Sequence, residues 1–489
     1  MGSLPDSKYI IQTDGYWFVE AHDVDSSKGH ITVSAKGIAN GLSSIPNDGA
    51  DFGPDTYNPD YSGSGIPYTQ TSGIQEAINY IDNQNGGSIH ILDGKYDLTN
   101  APFSTYTYSG IDYSFQIVLP SRTTNDDVLN ISITCNTVTR GGVEGAQAFN
   151  LYSGGVTLYS TATPPSGTQG YIMGGPTVTA IGNGTPFTNI NLHIDGLHFQ
   201  TQYDGSLGGL DLLTTRSVVI GKIYIDTNAT DEYPITISSS TGFAIQGSSS
   251  VAYVEFVSVV GYSTGINLIP SHIYFGKIML DMCEKGIYIV TGSQYGTHVG
   301  LLDFQNTKWA IIMSTTDDVW LSFGMILQGD QNPSGGPYPY DYVSTINDTE
   351  SGSGVHNVNA IVVSDLASNY VTPVYFAKDM SRFNITHMGR SPTPSLSSNP
   401  PASATAYQNT NPYDIIIYLP AYATASGTAG SVAVAIGSSS SPSTTFTQFV
   451  SGSTSSSSPD TIQIKVPAGW YYEVTTTGVT LATATVVAD

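Results

Sequence analysis

The chain has little charge, and least of all positive charge. Of its 489 residues only 11% are Asp, Glu, Lys or Arg, against about 25% in an average soluble protein. Fifteen Lys and Arg face 39 Asp and Glu, a formal net charge of −24. Binding to nucleic acid needs clustered cations to neutralise phosphates, and here the cations are scattered singly, so nucleic acid is excluded as a partner. Polybasic docking to a membrane fails for the same reason. Cysteine is scarce too: Cys135 and Cys283 are too few for a disulfide framework and are expected to be two buried thiols. No stretch approaches the 18 or so apolar residues of a membrane span, and Met1 to Tyr9 lack the cationic and apolar regions of a signal peptide. No membrane insertion is expected.

What is present is Gly (52), Tyr (32) and an abundance of Ser, Thr and Asn. The surface they predict is neutral and hydroxyl-rich. Having few carboxylates to protonate suits an extracellular or acidic setting. Five sequons, at Asn130, Asn183, Asn228, Asn347 and Asn384, fit an exposed location.

Composition shifts three times along the chain. Residues 1–47 read as a small β cap with a hairpin, Tyr9-Ile10-Ile11-Gln12 and Tyr16-Trp17-Phe18-Val19 about Asp14-Gly15. A turn-rich stretch follows, then the one strong helix signal, expected over about 72–83. Ser72 is placed to cap it, Gln75 to complete the capping box, and Ile74, Ala77, Ile78 and Ile81 share one face. From there to about 330 short strands recur between Gly, Ser and Asn turns. Thr241-Gly242-Phe243, Thr264-Gly265-Ile266, Lys285-Gly286-Ile287 and Lys308-Trp309-Ala310 are spaced 23, 21 and 23 residues apart. A second register runs through Gly276-Lys277, Gly300-Leu301 and Gly324-Met325 at intervals of 24. Two interleaved registers at one spacing describe the coils of a solenoid, each burying its inward side chains on its neighbours. A Ser- and Pro-rich linker is expected over 391–410. An alternating C-terminal segment, 411–489, then reads as a β-sandwich; beyond Arg390 the only charged residues are Asp414, Asp460, Lys465, Glu473 and Asp489.

The stretch Asp48-Gly49-Ala50-Asp51, then Ile74-Gln75-Glu76-Ala77-Ile78, Gly86-Gly87-Ser88-Ile89-His90-Ile91 and Gly94-Lys95-Tyr96 resembles the entry signature of the pectate-lyase-like superfamily. It looks most like the branch found in tailspikes and receptor-binding proteins of phages and archaeal viruses. Thr188 to Phe199 is similar to the strand pair those proteins use for each coil, and Val466 to Val474 to the last strands of small sandwich modules on viral fibres. The resemblance covers about 48–330 well and the last 80 residues weakly. It implies an all-β chain whose 48–390 region is a right-handed parallel β-helix, plugged by the helix, between the N-terminal β cap and the C-terminal β-sandwich. For reaction it is unspecific, because the superfamily includes lyases, hydrolases, epimerases and inactive binders.

Projecting the coils puts Lys222/Tyr224/Asp226, Phe256/Ser258/Val260, Lys277/Met279/Asp281 and Leu301/Asp303/Gln305 on the outside. Asp226 and Asp281 then share a column two coils apart, about 10 Å at roughly 4.8 Å per coil. They are the candidate catalytic pair of a glycosidase, one carboxylic acid protonating the leaving oxygen while the other activates water; the alternative is solvated strand ends. Asp204, Asp211, Asp231-Glu232 and Asp317-Asp318 read as turn residues. A lyase would need a strong base beside a Ca²⁺-binding carboxylate cluster, and none of the five arginines adjoins an Asp-rich strand. His193 and His198 share no strand face, and no phosphate loop or Ser-His-Asp elbow is visible, so neither metal nor cofactor is expected.

Aromatic rings on a hydroxyl-rich surface suit sugars, since a flat ring stacks on a pyranose face. The loop Gly335 to Tyr342 displays Tyr338, Tyr340 and Tyr342 beside Asp341, and Tyr224 and Trp320 are further glycan-binding candidates; Trp320 and Trp470 are expected to be partly buried. The apolar outward residues Phe256, Val260, Met279 and Leu301 call for a cover. Related tailspikes are commonly trimers, so a homotrimer is expected. The resemblance further implies attachment to other virion tail proteins through the N-terminal region, and a place on the virion surface. The favoured function is therefore attachment to host-surface polysaccharide or glycoprotein. A polysaccharide depolymerase and a structural coat or filament subunit are the alternatives.

Overall fold

The structure, a computed structural model, describes residues 10–13, 16–19, 29–35, 50–54, 69–108, 110–121, 128–136, 155–175, 188–202, 205–213, 215–227, 238–246, 252–270, 272–290, 296–329, 344–348, 355–364, 375–376, 383–388, 396, 398–410, 414–452, 454, 459–467 and 469–488. Short strands alternate between two long sheets, which makes the middle of the chain a parallel β-helix.

One sheet, of 14 strands, runs from His30–Val33 through Gly87–Ile91, Leu129–Cys135, Thr188–Asp195, Thr215–Thr227, Ala252–Val260, Ile273–Asp281, Thr297–Gln305, Val319–Gln328 and His356–Ser364 to Phe383–Met388. In the early coils its second half consists of separate strands, Gly94–Asp97, Val156–Ser160 and Leu197–Thr201. From Thr215–Thr227 onward the two halves are one bent strand. The other sheet, of 10 strands, includes Ile111–Val118, Thr168–Gly174, Leu207–Leu212, Ser238–Gln246, Tyr262–Ile269, Lys285–Ile289, Trp309–Met313 and Ser344–Asp348. Each chain segment passes from one sheet to the other and back, so a strand pairs with its counterpart one coil away.

Inward columns make the core. Ile194, Ile220, Val254, Phe275, Val299 and Phe323 are successive register partners, and so are Leu210, Phe243, Ile266, Ile287 and Ile311; all belong to one buried cluster. Each such side chain contributes about 1.5–3 kcal/mol on burial. The bend in the long strands explains the 24-residue glycine register. A Cβ on Gly276, Gly300 or Gly324 would lie 2.5, 2.6 or 2.6 Å from the carbonyl oxygen of Glu255, Gly276 or Gly300 in the preceding coil.

Five expectations need correction. The fourth repeat aligns one residue later than read: Lys285 pairs with Trp309 and Ile287 with Ile311. Burial decides this, because a one-residue slip would turn Ile311 out of the core. The helix runs Ile74–Asn83 from an αL N-cap at Gly73 rather than from Ser72. Gln75 serves the sheet instead of a capping box: its Oε1 accepts from the Val118 N–H (2.7 Å) and its Nε2 donates to the Val118 carbonyl (3.0 Å). His30–Val33, assigned to the cap, already pairs in parallel with Gly87–Ile91 and is thus the first rung. The hairpin Ile10–Thr13 and Tyr16–Val19 forms as expected.

The last correction concerns the linker. Ala406–Gln408 pairs with Tyr471–Thr477, and the Asn399 side chain bonds both ways to the Ala484 backbone, so Asn399 and Ala406–Gln408 belong to the terminal sandwich. Its two four-stranded sheets enclose Ile415, Ile417, Leu419, Val432, Val434, Ile462, Ile464 and Val474.

Cys135 and Cys283 are free and buried. Burial, more than any neighbouring carboxylate, pushes both thiols up to about 12. Neither thiol should therefore react in the native protein near neutral pH, and two equivalents should react after denaturation in a thiol-reagent titration.

Candidate functional site

Register brings the predicted carboxylates into one column: Asp226 pairs with Val260, Val260 with Asp281, and Asp281 with Gln305. It does not bring them to an open groove. Asp226 is 2% exposed; its Oδ2 lies 3.1 Å from Nε2 of the equally buried His198, and its Oδ1 accepts from Gln200 Nε2 at 3.3 Å. His198 Nδ1 in turn lies 3.1 Å from Thr157 Oγ1. Asp281 is half-buried and accepts from Asn306 Nδ2 at 3.1 Å. Facing outward on a strand is thus not the same as facing water, and Asp226 has no room for substrate or an attacking water.

Tyr224 is likewise buried, its ring centroid 5.2 Å from that of Phe256. This contact, with Val260 at 3% exposure, means that the chain itself covers part of the apolar outward set. Met325, next to Leu301 in register, stays 40% exposed. Tyr338, Tyr340, Asp341 and Tyr342 lie outside the described residues. Trp320, expected to be partly buried, is 51% exposed.

Trp320 is part of a larger feature. On the first half of the bent sheet, Val219, Tyr253, Tyr274, His298 and Ser322 are register partners on successive coils, all on the outward face. The Tyr253 and Tyr274 rings lie 5.3 Å apart and 2° from parallel, and Tyr274 and His298 5.1 Å apart at 21°. Stacking covers their faces and turns their edges outward. Val219, Tyr253 and Tyr274 remain exposed. To one side of this ladder are His272, Gly296, Trp320 and Asn357; to the other are Glu255 and the side-chain-free positions Gly276, Gly300 and Gly324. The result is an aromatic ladder beside a glycine shelf, with Trp320 free on its flank.

The ladder was readable from sequence. Tyr253, Tyr274 and His298 stand two residues before Glu255, Gly276 and Gly300, in the same register, whereas the projected outward sets lie beyond the bend.

Asp211, expected in a turn, is a strand residue. It lies within the strand Leu207–Leu212, in register between Gly174 and Ala244, and is 4% exposed. Ala244 belongs with Tyr113, Phe115, Tyr171 and Leu213 to a satellite cluster separate from the main core. Burial raises the Asp211 carboxyl to about 7, despite the Leu213 N–H donating to Oδ1 at 2.8 Å. Such a group could serve as a general acid. Its column, however, runs Val118, Gly174, Asp211, Ala244, Asn267, Tyr288, Ile312 and Asn347, which supplies no second carboxylate.

Among the described residues no group of three or more His, Cys, Asp or Glu is placed to hold a metal ion, and no helix is long and apolar enough to cross a membrane. No protein-family model matches the chain, and no curated protein matches it in sequence.

Proposed function

We propose that the chain is an attachment protein that binds host-surface glycans through the aromatic ladder and Trp320, as a virion tailspike or fibre of the kind its entry motifs resemble. The observation that carries this reading is a run of exposed aromatic side chains on a face whose other outward residues are mostly Asn, Ser, His and Gly, with Val219 and one carboxylate, Glu255. Aromatic rings with a polar edge supply apolar contact to a sugar ring and a hydrogen bond to its hydroxyls together. A β-helix holds them on rigid strands, so little is lost to ordering on binding. Self-association as a homotrimer and attachment to other tail proteins belong to the same proposal.

The depolymerase reading has one observation in its favour, the raised carboxyl of Asp211. Among the described residues its column supplies no second carboxylate, so neither the inverting nor the retaining glycosidase pair is built from that column.

Binding to a polysaccharide panel, measured together with release of reducing ends, tests the proposal. Wild-type protein should bind at least one polysaccharide and release nothing. Trp320→Ala should weaken binding by about tenfold or more, the loss expected of an aromatic anchor, at unchanged thermal stability because Trp320 is exposed. Sugar release by the wild-type protein would favour the depolymerase; binding to no polysaccharide would favour a structural subunit.

A further inference from the structure

We infer that the glycan held by this face is linear and uncharged and lies along the coil axis, one sugar per coil. The inference rests on the glycan-binding reading above and adds the ligand's shape and charge.

Shape follows from the ladder. Val219, Tyr253, Tyr274, His298 and Ser322 repeat once per coil, at about 4.8 Å, along one straight column. That rise is close to the length of one pyranose in an extended, equatorially linked chain, so successive sugars over Tyr253, Tyr274 and His298 each meet a ring edge. The stacked rings hide their faces from each other and so offer phenol and imidazole edges, which bond hydroxyls. The shelf at Gly276, Gly300 and Gly324 runs parallel to the column. A side chain at any of these positions would first meet the backbone of the preceding coil, so the shelf is bare along its length. A bare strip beside a row of hydroxyl-bonding edges accommodates a straight chain. A branch point or a tightly coiled glycan would leave the column after a sugar or two.

Charge follows from what lines the strip. From Ser217 to Asn359 the described outward side chains of this face carry one carboxylate, Glu255, and no Lys or Arg. Beyond the bend one register column holds two cations, Lys222 and Lys277, and Lys277 is paired with Asp303 at 3.2 Å. A polyuronate would find no countercharge here and would approach a chain of formal charge −24.

Calorimetric titration with oligosaccharide series decides the matter, using cellulose-, chitin-, mannan- and galactan-derived fragments of two to six sugars, with polygalacturonate and a branched dextran as contrasts. For at least one neutral linear series, affinity should rise severalfold with each added sugar, level off near five, and be nearly independent of salt. Tyr274→Ala, on an exposed side chain in mid-ladder, should flatten that rise. Affinity independent of chain length, or preference for polygalacturonate or dextran, would overturn the inference even if Tyr274→Ala weakens binding. Binding to none of the probes, or binding indifferent to both Tyr274→Ala and Trp320→Ala, would remove the glycan-binding face itself.

Discussion

Asp211→Asn should stabilise the protein at pH 8 and leave it unchanged at pH 4. Burial lifts the carboxyl from its ordinary value to about 7 in the folded chain, whereas in the unfolded chain it titrates near 3.9. Between those values the folded state holds a proton that the unfolded state has lost. The stability this group contributes is therefore full below about pH 4 and is lost as pH rises through about 7. A shift of some three units corresponds to about 4 kcal/mol. Asn keeps the acceptor for the Leu213 N–H and removes the charge. The neighbouring Tyr171 hydroxyl, raised well above its ordinary range chiefly by burial and then by Asp211, stays protonated throughout. Denaturant midpoints of wild-type and variant from pH 4 to 8 should therefore diverge as pH rises. Parallel curves would show that Asp211 reaches water. The sign agrees with the acidic setting suggested by composition.

Asp348→Met alone should destabilise the protein by about 3–5 kcal/mol, and Asp348→Met with His356→Val should restore most of the loss. The two side chains are 0% and 1% exposed, with His356 Nδ1 2.9 Å from Asp348 Oδ2 and Nε2 3.2 Å from the Asp317 carbonyl. Both stand in columns that are otherwise apolar: Ile289 and Met313 precede Asp348 in register, and Val319 precedes His356. Removing Asp348 strips the buried His356 ring of its Nδ1 partner, leaving only the Nε2 contact with the Asp317 carbonyl. Replacing both by the residues of the previous coil extends the apolar columns, an exchange that is often neutral or stabilising. Equilibrium unfolding of the three proteins checks this. A neutral single variant would mean that the pair carries no stability.

The coil was legible because its signal repeats. Register errors of one residue average out over several coils, so the solenoid survives misplacing Lys308 where Trp309 belongs. The column containing Asp226 and Asp281 was legible for the same reason. Its environment was not, because burial of an outward residue depends on contacts such as His198 with Asp226, 28 positions apart in the chain, which no local pattern encodes. The same holds for Asp211, whose burial depends on strands distant in the chain, among them the one that carries Tyr171. Gln75 was misread because the capping-box pattern is local, while its actual partner, Val118, is 43 residues away. The boundary of the sandwich moved because the Asn399 and Ala484 contact spans 85 residues.

A glycan held on this face must reach the flank of the ladder. The most direct measurement is the emission of Trp320, taken as the difference between wild-type and Trp320→Phe spectra while a bound polysaccharide is titrated in. A ring 51% exposed in the free protein should shift to shorter wavelength as a sugar covers it, saturating with the same midpoint as binding measured by calorimetry. A difference spectrum that does not change while calorimetry reports saturable binding would place the glycan elsewhere and contradict the account.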